Sequence, residues 1–492
     1  LCPEPLAQGE AVTTLPAAHV FSVDHDWYAY DLNTQQLVQV EAPLAALLRQ
    51  EGVADEDAVA ALSRAQEADG LFLARKVNLA PARPSAAVAD RTLQHLVLTV
   101  TESCNLRCAY CLHGAGLAWV RPHGSGHMSI ETAVAAVAYF LDRSDPDRAP
   151  VISFYGGEAL LNRALVTAAI AAARSHARGA EVRFAIDSNG LLLDAEVINL
   201  IAREKIHLQL SIDGPADVHD RHRLDVAGRP TFGRIAANIG ALLDVDRSAA
   251  ARITYVVTLA PPVDLFAVAE VFAAFPPYLA HGITNQPLVT VNFANLKGQH
   301  WPGGQEAVHG LPPVPEQVNR ARELYLAALA QGRRNELSPV LRALFEPDLI
   351  RFHHRSRAPL GETYAPGGNC RPGRRKLHVT VDGRLQPCER TGNTLALGKV
   401  ATGIQPDLVA RLHDDFHAAL RMRCGQCWAV RQCGVCFAAL GENPGPPGAA
   451  RTIPESVCRR VRSHRESVMQ MMVRILGLPP ESRLWLDQSQ LS

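Results

Sequence analysis

The sequence predicts an α/β protein built on a parallel sheet, with a small module of strands and helices before it and a cysteine-rich domain after it. Three observations predict this. From Leu93 onward, apolar β runs alternate with helical stretches through six units. Ahead of them, a strand-rich segment is followed by two amphipathic helices. Ten of the eleven cysteines fall into two groups, one just after the first β run and one in the last quarter of the chain. Strands and helices in alternation pack as β/α units around a parallel sheet.

A chain of 492 residues with 47% hydrophobic content has material for two or three domains and a sizeable core. Its 49 basic and 49 acidic residues cancel, so the broad positive field that attracts nucleic acid is missing and no nucleic-acid partner is expected. No apolar run approaches the length of a membrane span, and the start lacks a basic stretch followed by an apolar one. Neither a membrane partner nor a signal peptide is therefore expected, and the expected location is cytoplasmic. Eleven cysteines in so long a chain point to metal binding. Cys2 stands apart from both groups and carries no role.

Taken in order, residues 1–78 form the first module. His19 to Tyr30 and Gln36 to Val40 read as strands joined by a turn over Asp31 to Thr34. The first helix carries Leu44, Leu47 and Leu48 on one face and the second carries Val59, Leu62 and Ala65. Residues 79–92, rich in Ala and Pro, read as a linker. The β runs of residues 93–295 are Leu96 to Thr101, Val151 to Tyr155, Val182 to Ile186, His207 to Ile212, Ile253 to Leu259 and Val289 to Phe293. Helices are expected over Ile130 to Leu141, Ala164 to Ala177 and Ala195 to Arg203, the last capped by Asp194. Residues 296–368 lose the alternation and read as a bridging or lid region, with helices over Val314 to Leu329 and Pro339 to Phe345. The cysteine-rich domain covers 369–465, opening with a β run from Leu377 to Val381 and a turn at Asp382 and Gly383. Residues 466–492 form a tail.

The chemistry begins at Cys104, Cys108 and Cys111, in the stretch TESCNLRCAYCL from Thr101 to Leu112. A strand would alternate these thiols across two faces and a helix would align only some of them, so they converge only in a loop around one small object. A [4Fe-4S] cluster is such an object and normally takes four thiolates, so three leave one iron open to a chelating ligand. Zinc would need a fourth ligand, for which His113 is the adjacent candidate. Active groups of α/β barrels sit at the C-terminal ends of strands, where this chain places its unusual polar residues. After the second β run come Gly156, Gly157 and Glu158, two glycines that permit close approach to a ligand and a carboxylate able to accept from an ammonium. Ser188 and Asn189 follow the third. Ser211 and Asp213 end the fourth, with Arg223 beyond them, whose planar fork suits a carboxylate. Ordinary turn chemistry is the competing reading of Asn189 and Asp213. Cys370, Cys388, Cys424, Cys427, Cys433, Cys436 and Cys458 are more thiolate than one zinc uses, and two clusters fit them better.

On these residues the sequence resembles the radical S-adenosylmethionine (SAM) enzymes, whose CxxxCxxC loop it matches, including the aromatic Tyr110. The resemblance implies an open (β/α)6 barrel and a cluster whose open iron binds the amino and carboxylate groups of SAM. An electron from that cluster cleaves the sulfonium to a 5′-deoxyadenosyl radical. Gly156, Gly157 and Glu158 match the family's GGE segment at the methionine amino group. Ser188, Asn189, Ser211 and Asp213 match segments lining the SAM pocket, and Arg223 matches an Arg that pairs with the SAM carboxylate. The last quarter resembles the SPASM extension of radical SAM enzymes that mature peptides, with GRLQPC from Gly383 to Cys388 as its GxxxxC segment. It departs by having two residues rather than three between Cys433 and Cys436. The resemblance assigns Cys424, Cys427, Cys433 and Cys458 to a distal auxiliary cluster, and Cys370, Cys388 and Cys436 to a proximal one that is one cysteine short. Glu389, beside Cys388, matches an Asp that serves as a base in sulfatase-maturing relatives; a surface carboxylate is the plain alternative.

The first module resembles PqqD-like elements, in which a leader peptide adds a strand to a sheet edge; a structural cap is the alternative. Together these resemblances imply three [4Fe-4S] clusters, SAM, a precursor peptide with a leader, and a reductant such as flavodoxin or ferredoxin. The expected function is oxidative modification of a ribosomally made peptide, as a thioether or carbon-carbon crosslink. The alternatives are an anaerobic sulfatase maturase forming formylglycine and a non-catalytic zinc-binding scaffold.

Overall fold

The computed structural model describes residues 12–51, 55–79, 91–114, 123–294, 314–368, 370–392, 395–440 and 451–489. Most of the linker expected at 79–92 lies outside them, as do Cys2 and residues 295–313 of the bridging region.

The first module is a meander with two helices laid on it. Strand β1 (Val12–Leu15) pairs with β5 (Arg75–Asn78), while β2 (Ala18–Val23), β3 (Asp26–Asp31) and β4 (Leu37–Val40) form a separate antiparallel sheet. The single strand expected from His19 to Tyr30 is in fact the hairpin β2–β3. Its turn carries Asp24 at φ 54°, a left-handed position that Asp tolerates better than most residues, and no glycine marks it. The turn expected at Asp31 to Thr34 is present. The Asp31 carboxylate is fully buried and accepts from the backbone N–H of Thr34 at 2.6 Å and of Phe72 at 2.7 Å. Helices α1 (Ala42–Leu48) and α2 (Glu56–Asp69) cover the sheet, burying Leu44 and Ala45 with Ala29, Val40, Leu71 and Phe72 in a core of their own. Val59, placed by its spacing on the inner face, points outward and is 44% exposed.

Strands β6 (His95–Thr101), β7 (Val151–Gly156), β8 (Arg183–Ser188), β9 (His207–Ser211), β10 (Ile253–Leu259) and β11 (Leu288–Phe293) are parallel neighbours in sequence order. Between them run α3 (Ile130–Asp142), α4 (Arg163–Ala177), α5 (Ala195–Glu204), α6 (Ala216–His222), α7 (Phe232–Val245), α8 (Leu265–Ala273) and the short α9 (Pro276–Ala280). The α5 start is capped by Asp194, which accepts from the backbone N–H of Val197 at 3.1 Å. Along β6 to β9 the outward side chains are apolar and buried, as with Leu96, Leu98, Ile152, Phe154, Phe184, Ile186, Leu208 and Leu210. The alternate positions turn His95, Thr99, Ser153 and Asp187 to the other face, where His95 and Ser153 lie 2.7 Å apart.

Helices α10 (Val314–Ala330) and α11 (Pro339–His353) pack against α8, and α11 also lies along β11. The cysteine-rich domain does not stand apart from the barrel. Its strand β12 (Lys376–Val379) pairs in parallel with β6, so the sheet continues through β12, β13 (Arg384–Gln386), β14 (Gly398–Lys399) and β15 (Gly403–Ile404) as ten strands. Helix α12 (Pro406–Cys424) ends on a cysteine of the second group. Helix α13 (Glu455–Leu476) carries Cys458 in its first turn and runs unbroken through residues 465 and 466, before α14 (Leu484–Gln488).

Candidate active site

Thr101 ends β6, and the cysteine loop that follows is braced by the two strands beyond it. The backbone N–H groups of Gly157 and Glu158 donate to the carbonyls of Thr101 and Ser103 at 3.0 and 2.9 Å. A Cβ on Gly156 would stand 2.2 Å from the Thr101 carbonyl oxygen, and one on Gly157 would stand 2.3 Å from that of Ser103. These glycines let the β7 turn lie against the backbone of the cysteine loop itself.

Glu158 is 1% exposed and faces inward. Its carboxylate accepts from the Leu160 N–H at 3.1 Å, the Ser188 hydroxyl at 2.9 Å and the Asn189 N–H at 2.8 Å. Burial raises its pKa, against the pull of these donors. The carboxylate expected to accept an ammonium is therefore used as a strut between the ends of β7 and β8. Asn189 in turn donates to the Asn105 side chain at 2.7 Å, with the same nitrogen 4.0 Å from the Cys104 sulfur, and accepts from the Leu191 N–H at 3.0 Å. It serves both as a turn residue and as a contact to the loop.

The fourth strand holds the other side. Asp213 is buried and accepts from Arg223 Nε at 2.9 Å, from the Thr258 N–H at 3.0 Å and from the Tyr110 hydroxyl. The Arg223 guanidinium lies 5.3 Å from the Tyr110 ring centre, and its Nη1 is 3.9 Å from the Cys108 sulfur. The fork expected to meet a SAM carboxylate thus has its Nε on Asp213 and an outer nitrogen on the thiol. Ser211 ends β9 half-buried.

Burial pushes the Cys108 thiol up to about 12 and raises Cys104. At Cys111 burial also pushes upward, but the His123 ring 3.5 Å from its sulfur outweighs it and the thiol is lowered. His123, not the adjacent His113, is the imidazole on this thiol; no spacing rule links it to the motif, because it returns to the loop from twelve residues away.

The ten described cysteines are all free thiols. Cys424 feels the charges of Cys427, Cys433 and Cys458, whereas Cys370 feels those of Cys388 and Cys436, so the seven fall into a set of four and a set of three. Burial raises Cys424 strongly and brings Cys370 and Cys433 each to about 11. Among the described residues no three His, Cys, Asp or Glu side chains close around a single metal ion. A cluster does not ask for that convergence, since each thiolate binds its own iron. Free thiols in sets of three, three and four fit iron-sulfur centres, whose binding would release any protons the thiols carry.

Glu389 is not a surface carboxylate. Its side chain is 18% exposed and paired with Lys376 Nζ at 2.7 Å; burial pushes its pKa up, but the lysine outweighs this and holds it below the usual range. Asp187, on the same inner face and absent from the sequence-derived set, is pushed up to about 7 by burial and by Glu389.

Residues 98–264 match the Radical SAM superfamily. The likeness to that superfamily lies in this stretch. The chain is 30% identical over 139 residues to an uncharacterized protein of Methanocaldococcus jannaschii, covering 28% of this chain and 45% of that one. It is 26% identical over 153 residues to the serine-type anaerobic sulfatase-maturating enzyme of Bacteroides thetaiotaomicron, covering 31% and 37%. The chain thus spans less than half the length of these relatives. In fold it is similar to native anSMEcpe with bound AdoMet, with a TM-score of 0.55 and 16% identity over 81% of this chain and all of that one. The matched stretch runs from within β6 through β10 and includes the cysteine loop, and that superfamily implies a [4Fe-4S] cluster and SAM there. No described helix is long and apolar enough to cross a membrane.

Proposed function

We propose that this chain is a radical SAM/SPASM enzyme that oxidatively modifies a ribosomally made precursor peptide, closing a thioether or carbon-carbon crosslink. The observation that carries this reading is the joining of the two cysteine regions by one sheet: β12, which leads to Cys388 and Glu389, pairs with β6, which leads to Cys104. A cluster on Cys104, Cys108 and Cys111 would supply the electron that cleaves SAM to a deoxyadenosyl radical. The chain's own part is to hold the loop: Glu158 ties β7 to β8, Asn189 reaches Asn105, and Asp213 fixes Arg223 and Tyr110 beside Cys108. Clusters on Cys424, Cys427, Cys433 and Cys458, and on Cys370, Cys388 and Cys436, would accept the electron that an oxidation releases.

In this reading Glu389, kept ionised by Lys376, takes the substrate proton as the product forms. Glu389→Gln then keeps deoxyadenosine formation and loses modified peptide; equal loss of both would remove Glu389 from this role. The first module binds the leader by strand addition at β4, which among the described strands pairs on one side only. The reductant would be a flavodoxin or ferredoxin.

The kinship to sulfatase-maturating enzymes favours a second reading, in which a Cys or Ser of a sulfatase becomes formylglycine. Anaerobically reconstituted protein given SAM and a reductant separates the two. A precursor peptide encoded beside the gene emerges lighter by a pair of hydrogens under the first reading. A sulfatase peptide emerges as an aldehyde under the second. A colourless, zinc-loaded protein would leave neither.

A further inference from the structure

The four cysteines assigned above to the distal site come from two segments: the loop from Cys424 to Cys433, and the first turn of α13 with Cys458. The first has little regular structure of its own to fix the thiols. The loop is a helix end followed by short turns, and five residues separate Cys427 from Cys433. Its contacts run to the opposite end of the sequence.

The Trp428 ring lies flat on His19, with centres 3.7 Å apart and planes within 4°, and meets the buried Tyr30 edge-on at 6.5 Å. Arg431 Nη1 donates to the carbonyls of Leu32, at 3.2 Å, and Asn33, while its other arm reaches the Ala358 carbonyl at 3.1 Å. Gln432 donates to the Gln35 side chain. The carbonyl of Gly425, between the first two cysteines, accepts from the Thr13 hydroxyl at 2.9 Å. His19 also grips the second segment, since its Nε2 lies 2.9 Å from the carboxylate of Glu466, on α13 eight residues beyond Cys458. One side chain on β2 thus touches both segments that supply the thiols.

A module whose only task was to receive a leader would need a free sheet edge, not a remote loop's Trp428 stacked on its strands with Arg431 and Gln432 seated on its turn. We propose that the N-terminal module is a structural part of the distal four-cysteine site, with His19, Thr13 and the carbonyls at 32 and 33 as positioning groups for Cys424, Cys427, Cys433 and Cys458. The inference rests on reading those four cysteines as ligands of one cluster, and is independent of whether the module also binds a peptide. Without the module, the residues between Cys427 and Cys433 would have to be ordered at the moment of metal binding, at the cost of their conformational entropy. With it, the loop is arranged beforehand.

The test uses the full chain carrying His19→Ala and Arg431→Met, reconstituted anaerobically with iron and sulfide. Iron should fall by about one third, one cluster in three, with a matching loss from the electron paramagnetic resonance spectrum of the reduced protein. Deoxyadenosine formation without peptide should be unchanged, because the barrel loop is not touched. His19→Phe, which keeps a ring on Trp428, should retain most of the iron and guards against a mere failure to fold. Full iron and a native spectrum in the double variant would overturn the proposal, as would a loss in His19→Phe equal to that of the double variant. Cys424→Ala serves as the reference for losing the site; if it kept all its iron, the ligand reading itself would fall, a result read separately from the other two.

Discussion

Cys104, Cys108 and Cys111 follow one another within a single loop, while Cys424, Cys427, Cys433 and Cys458 are gathered from a helix end, a turn and another helix. The first set is held by buried, hydrogen-bonded side chains from the neighbouring units: Glu158 behind the glycines and the Asp213–Arg223 pair beside Cys108. The second is held by ring stacking and carbonyl contacts to residues about four hundred positions earlier. Where the cysteines are close in sequence, the problem left to the fold is to fix a short loop, and a few buried polar groups suffice. Where they are scattered, surface must be brought from elsewhere, and packing does it.

The comparison breaks first at the ligands. Replacing Cys104, Cys108 and Cys111 together with Ala should abolish SAM cleavage yet leave roughly two thirds of the iron; deoxyadenosine from that variant would show that the loop is not the centre of reaction. Next in size is Asp213→Ala. It strands Arg223 as an unpaired buried charge and should cost roughly 3 to 5 kcal/mol in denaturant unfolding, and an effect under one would deny the pair its place as a brace. Glu158→Gln puts an amide donor where three donors already point, and should cost about 1 to 3 kcal/mol without changing the distal site's iron.

The smallest effect sharpens the comparison by pH. Asp187 has a folded pKa of about 7 against an ordinary 3.8, so the native state holds its proton more tightly than the unfolded chain. Its contribution is complete below about pH 4 and is lost as the pH rises through about 7. Asp187→Asn lacks this titration. Its unfolding midpoint should therefore gain on the wild type between those limits, and parallel curves would contradict the assignment. The neutral histidines His95 and His219, depressed to about 4 chiefly by burial, are common to both chains and cancel in the difference.

The barrel strands were legible because runs such as Leu96 to Val100 are apolar and lie between helical stretches. The cysteine loop was legible because its spacing forbids both regular structures. What could not be read were directions and long-range pairings. The motif placed Glu158 at a strand end but could not say that its carboxylate points back into the fold. The β2–β3 turn was missed because Asp24 adopts a left-handed conformation without a glycine to announce it. Lys376 beside Glu389, His123 beside Cys111 and Trp428 under His19 join positions that no local pattern connects.

The pairing of β12 with β6 has one more consequence. A chain cut before Lys376 would not yield a free-standing catalytic half. It would bare the backbone amides and carbonyls along the very strand that launches the cysteine loop, a sticky seam ready to zip to its own kind.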